Sequence, residues 1–88
     1  MYEWDARKAS TNLTDHGVPF HFAVRVFDDP ARVEFDVSRK RDREDRQKCV
    51  GSIDGKLYVV VFTERGDNRR IISARRTNGK EDEAYDNG

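Results

Sequence analysis

Four arginines flank a short β-branched centre in "RRIISARRT" (residues 69–77), with Arg69 and Arg70 on one side and Arg75 and Arg76 on the other. A guanidinium stays protonated and offers two parallel N–H donors to one phosphate, so arginines at both ends of a strand suit a polyanion. Other reactive side chains are sparse. His16 and His21 lie five residues apart, not the four that would put two imidazoles on one helical face, which argues against zinc. Cys49, the sole cysteine, sits in a strand-like pattern and reads as a half-buried packing residue rather than a nucleophile. With no glycine-rich phosphate loop either, the sequence calls for no metal and no cofactor.

These side chains must be positioned by a small domain. The chain has 88 residues, which predicts a single domain over residues 1–88 without room for a large internal cavity. Apolar residues (35%) are outnumbered by charged ones (39%), a balance near the disordered class, yet they cluster into periodic runs and so predict folding. One cysteine excludes an internal disulfide and suits a reducing compartment. No apolar run approaches the roughly 20 residues of a membrane span and no signal-peptide pattern opens the chain, so a soluble, cytoplasmic protein is expected. Formal charges cancel, but unevenly: "SRKRDREDRQK" (38–48) is rich in cations, and the tail after Lys80 is acidic with Glu81, Asp82, Glu83 and Asp86. Any attraction for a polyanion must therefore be local. Solvated charge in a mobile loop is the plainer reading of 38–48.

Asp5 fits the N-cap of a helix reaching about Asp15, with Ala6, Ala9, Leu13 and His16 on one face and Lys8, Asn12 and Asp15 on another; Gly17 ends it. Pro19 suits the first turn of a second helix, whose Phe20, Ala23, Val24 and Phe27 follow i, i+3, i+4, i+7 spacing until "DDP" (28–30) stops it. The period then changes to two. "RVEFDV" (32–37), "RQKCVGSI" (46–53), "KLYVVVFTE" (56–64) and the arginine-flanked segment predict four strands, with Asp54-Gly55 as a hairpin signal and 65–68 as a looser one. The expected fold is α+β: two N-terminal helices on a twisted antiparallel four-stranded meander, with room for a short extra N-terminal strand and a short C-terminal helix.

If residues 65–68 form a four-residue loop, Glu64 stands opposite Arg69, Phe62 opposite Ile71, Val60 opposite Ser73 and Tyr58 opposite Arg75. Leu57, Val59, Val61, Ile72 and Ala74 then make an aliphatic face for the helices. Tyr58, Phe62, Glu64, Arg69, Ser73 and Arg75 make a mixed face open to solvent, with Arg70 and Arg76 pointing the other way. Aromatics beside guanidinium groups suit bases and phosphates, so that open face is a candidate RNA surface. Ordinary cross-strand pairing, Arg69 with Glu64 and Arg75 over Tyr58, accounts for each residue taken singly.

Residues 2–29, "YEWDARKASTNLTDHGVPFHFAVRVFDD", and 57–76, "LYVVVFTERGDNRRIISARR", together resemble the BrnT toxins of bacterial type II toxin-antitoxin modules. The resemblance rests on the aromatic-Glu-Trp-Asp start, the Lys8 to Asn12 helix, "HGV" before an aromatic, "VF.D" and "R.IISARR" in that order. It implies a fold similar to the RelE and ParE toxins and an endoribonuclease, metal-independent by analogy, that arrests growth. It also implies a BrnA-like antitoxin as partner, RNA as substrate, and operator DNA contacted only through the antitoxin. Asp15 departs from a commonly basic position, and the acidic segment after Arg76 departs from often basic relatives.

Cleavage of this kind, as the resemblance implies it, has the ribose 2'-hydroxyl attack the adjacent phosphate. It needs a base, a cation for the developing charge and an acid for the leaving oxygen. Arg69 and Arg75 are candidates for the charge, Glu64 for the base, and His16, Lys8 or Tyr85 for the acid. Tyr58, Arg65, Arg70, Ser73 and Arg76 are candidates for holding RNA. Each has a plainer role: His16 as a helix end, Glu64 as partner of Arg65 or Arg69, Tyr58 as packing. Two other functions stay open, a catalytically inactive antitoxin-binding or regulatory module and a DNA-binding regulator, though no helix carries a basic groove-reading face for the latter.

Overall fold

The computed structural model describes every residue from Met1 to Gly88. Its sheet has five strands in the order β1-β5-β4-β3-β2: β1 (Tyr2–Trp4), β2 (Val33–Asp36), β3 (Gln47–Ile53), β4 (Lys56–Arg65) and β5 (Asn68–Arg76). The last four form the expected antiparallel meander. The fifth changes its class, because β1 pairs with β5 in parallel, Tyr2 against Arg69 and Trp4 against Ile71, and makes the sheet mixed. A parallel neighbour needs a long connection, and here residues 5–67 supply it.

Helix α1 (Ala6–His16) begins where the Asp5 carboxylate accepts the Arg7 and Lys8 backbone N–H groups and ends at Gly17, whose φ of 70° only glycine adopts readily. The second helix is shorter than expected. Helix α2 (Phe20–Ala23) makes a single turn and tightens into a 3-10 segment, Val24–Asp28. β-Branched Val24 and Val26, followed by the Asp-Asp-Pro stop, give that stretch little to sustain a wider helix. Helix α3 (Gly79–Asn87) starts with a reciprocal cap: Asn78 accepts the Glu81 N–H, and the Glu81 carboxylate accepts the Asn78 N–H.

Asp54 and Gly55 have φ of 52° and 84°, the left-handed pair a tight hairpin demands. The β4–β5 connection is tighter than the expected four-residue loop, since Arg65 pairs with Asn68 around Gly66-Asp67. Glu64 does face Arg69 and Phe62 does face Ile71, but a register irregularity at Val61/Phe62 leaves Ile72 unpaired. Beyond it Ser73 meets Val61, Arg75 meets Val59 and Arg76 meets Tyr58, one residue away from the expected pairs.

On β4 the two faces are exchanged, whereas Ala74 of β5, beyond the irregularity, keeps its expected place toward the helices. The face under the helices is the aromatic one: Phe20, Ala23, Val26 and Phe27 pack on Val60, Phe62, Ile71 and Ala74, with Phe22 edge-on to Tyr58 at 5.3 Å. Rings bury the most area, so the helical phenylalanines draw Tyr58 and Phe62 inward. Val59, expected on that face, lies on the other with Val50, and both are buried there. Glu81 of α3 bonds Lys48 on β3 and Arg75 on β5, so α3 crosses the intervening β4 and closes that side. The molecule has three layers, and Tyr58 and Arg75 occupy opposite faces of its sheet.

Candidate functional site

Asn12 fixes α1 against β5. Its side-chain amide donates to the carbonyls of Ala74 (2.8 Å) and Val18 (3.0 Å), while its oxygen accepts the Ala74 N–H (3.0 Å). Past Trp4 the backbone of β5 has no further strand beside it, and Asn12 takes the place of one. An asparagine inside a helix costs helix propensity, and here that cost coincides with a buried anchor.

Docked in this way, α1 and β5 bound an open cleft of about 350 Å³. Lys8, Thr11 and Asp15 lie along the helix wall, at i, i+3 and i+7, with Arg7 and His16 flanking them; Ile72 and Ser73 form the strand wall. Arg7, Lys8 and His16 are exposed and form no ion pair. The cleft is thus cationic with one carboxylate, Asp15, on its wall. Its donor set suits phosphate better than a metal ion, and no cluster of three or more His, Cys, Asp or Glu side chains is placed to hold a metal anywhere in the chain.

Lys8, His16 and Ser73 are therefore brought together, and Arg75 lies two positions beyond Ser73 on the same face of β5. The remaining candidates are elsewhere. Glu64 and Arg69 form a long pair of 3.5 Å on the opposite face, where the Arg69 guanidinium sits 4.2 Å over the Phe27 ring. Tyr85 donates to Asp29 at 2.6 Å, beside Ser52 of β3 and away from the cleft lining. Arg70 and, at 4.0 Å, Arg65 turn to Glu3. Arg76 covers Tyr58 at 5.3 Å and bonds the Leu57 carbonyl. The single open face that was to unite Tyr58, Glu64, Arg69 and Arg75 does not form, because the irregularity at Ile72 divides these residues between two faces.

Arg75 and Lys48 share one acid. Glu81 is 2% exposed and accepts two bonds of 2.8 Å from Arg75 and one of 2.9 Å from Lys48. Burial pushes this carboxyl up, but the Arg75, Asn78 and Lys48 hydrogen bonds outweigh it and hold the group down at about 2. Tyr85 and Asp29 form a second tie. Burial raises Asp29, and the bonds from Tyr85, the Ser52 N–H and the Ala31 N–H bring it below the usual range. The Tyr85 phenol is raised by the same Asp29 contact. Cys49 is fully buried in the core, and burial first of all drives its thiol up to about 12, which leaves no nucleophile there.

Arg7 and Lys48 did not stand out in the sequence, where no pattern separates them from other cations; in the fold Lys48 shares the α3 face with Val50, while Cys49 between them points to the core. Comparison with known proteins adds the family. No curated protein matches the chain. A family model described as the ribonuclease toxin BrnT of a type II toxin-antitoxin system matches residues 4–81, which takes in α1, both walls of the cleft and the start of α3. By that match over most of its length, the chain belongs to the BrnT family of ribonuclease toxins.

Proposed function

We propose that the protein is a metal-independent endoribonuclease that cuts RNA in the α1–β5 cleft, arrests growth and is neutralised by a BrnA-like antitoxin. The observation that carries this reading is the convergence of Arg7, Lys8 and His16, all without ionic partners, on one cleft, while Arg75 and Tyr85 are tied to Glu81 and Asp29 and Glu64 lies exposed on the other face beside Arg69. Lys8 and His16 stand eight residues apart, about 12 Å along the helix axis, which leaves space for a phosphodiester between a cation and an imidazole.

In that arrangement Lys8 and Arg7 stabilise the charge that grows on the phosphoryl oxygens as the 2'-hydroxyl attacks. Histidine is the side-chain type that takes up and returns protons near neutral pH, and His16 moves the proton between the attacking hydroxyl and the leaving 5' oxygen. Ser73 offers a hydroxyl to the same phosphate from the opposite wall. The test is cleavage of total RNA by purified protein in EDTA: wild type cuts, and Lys8→Ala and His16→Ala each lower the rate at least a hundredfold with circular dichroism unchanged. Full activity in both variants, or a strict need for added divalent metal, refutes this assignment.

A further inference from the structure

We propose that single-stranded RNA leaves the cleft along a track across the α3 side of the sheet and ends on Phe35 and the loop that joins β2 to β3; this rests on the ribonuclease reading above. Ser73, Val61, Lys48 and Phe35 are direct cross-strand neighbours on β5, β4, β3 and β2, so one unbroken row connects the cleft with the far edge of the sheet. With strands about 4.8 Å apart, that row is about 14 Å long. Helix α3 covers the adjacent row and borders this one at Lys48, which bonds Glu81, but does not bury it: Phe35 is 37% exposed, and Val61, Ser73 and Lys48 are half-buried.

Charge along the row favours a polyanion. Arg75 and Lys48 oppose the single carboxylate of Glu81, so that trio keeps one positive charge, and Lys80 lines the hollow of about 200 Å³ beside Phe35. At the row's end the neck of the loop is tied by Ser38 and Arg46, with the Arg46 N–H on the Ser38 hydroxyl at 2.8 Å. Within it Asp42 and Glu44 are taken by Arg39 and Arg46. Lys40, Arg41 and Arg43 are exposed with no acidic partner, and Asp45 is the one acid of the loop left outside an ion pair. An exposed ring beside free cations is the combination that stacks unpaired bases and grips their phosphates, and a duplex offers no such bases. The exposed Glu83 and Asp86 of α3 disfavour a path over that helix.

The probe is a fluorescein-labelled, 2'-O-methylated single-stranded oligonucleotide, which cannot be cleaved, titrated by anisotropy across a salt series. In the triple variant Lys40→Gln, Arg41→Gln, Arg43→Gln affinity is expected to fall at least tenfold and the slope of log K against log salt to shrink by about 2, at about 0.7 per phosphate released. Phe35→Ala is expected to weaken binding by about fivefold to a hundredfold and Phe35→Trp to restore it. Lys56→Gln, which removes an unpaired cation at the opposite end of β4, serves as the charge control and shifts affinity less than twofold. Wild-type affinity and slope in the triple and Phe35→Ala variants overturn the track, as does a wild type that cleaves RNA without binding the probe. Variants that keep probe binding but lose the antitoxin assign the surface to that protein instead. Weakened binding in a protein that cleaves nothing supports the track while the ribonuclease reading fails.

Discussion

Asn12 and Ala74 meet through both backbone groups of the latter, so that a helix side chain completes the hydrogen bonding of the stretch of β5 that β1 leaves uncovered, 62 residues away. Asn12→Leu leaves the Ala74 N–H and C=O buried without partners and is expected to lower stability by about 2–5 kcal/mol. Asn12→Asp keeps an acceptor for the N–H but turns carboxylate oxygen toward the Ala74 and Val18 carbonyls, and should be no milder. Urea unfolding measures both. A loss under about 0.5 kcal/mol in each would show that the anchor contributes nothing.

The Glu81 trio makes the seat of α3 sensitive to acid. The folded-state pKa is about 2, below the ordinary value of 4.5, so its contribution is complete above about pH 4.5 and disappears as pH falls from there toward 2. Glu81→Gln should remove that acid dependence. It should also cost about 1–3 kcal/mol at pH 7, less than a fully buried pair, because Arg75 and Lys48 remain 36% and 26% exposed. Unfolding curves from pH 7 to pH 2 for both proteins check the slope; parallel curves would contradict the assignment.

Gly51 lies directly under Val26. A Cβ there would approach the Val26 carbonyl oxygen to 2.7 Å and its Cα to 3.0 Å, contacts with backbone that no rotamer relieves. Gly51→Ala is expected to lower stability by about 1–3 kcal/mol and to displace the 3-10 segment. A thermal unfolding midpoint within one degree of wild type would be inconsistent with this packing.

Tyr85→Phe removes one of three hydrogen bonds to the Asp29 carboxylate and leaves those from the Ser52 and Ala31 N–H groups. The expected loss is about 1 kcal/mol, with RNA cleavage within threefold of wild type. A hundredfold fall in cleavage with unchanged stability would return the phenol to the chemistry.

Local signals in the sequence were sufficient for the parts of the fold that local physics governs. Asp5 and Gly17 bound α1, Asn78 and Glu81 start α3, and Asp54-Gly55 turns between β3 and β4, each where its side chain or φ demands. Pairing from Glu64 to Phe62 also follows from the turn. The irregularity at Ile72 has no comparable signature, since Ile71, Ile72 and Ser73 suit a strand in either phase, and one unpaired residue moves Arg75 away from Tyr58. Lys8, His16 and Ser73 were legible as candidates, but not as neighbours. Their proximity depends on the parallel pairing of β1 with β5 and on Asn12, both of which join residues from opposite ends of the chain.

That long-range pairing has a temporal side. The strand wall of the cleft is made by Ile72 and Ser73, so during synthesis α1 can coil early but has nothing to close against until β5 has been translated and has emerged. A polypeptide released before residue 68 possesses only the helix wall of that cleft, so the cleft exists only in copies that have passed β5.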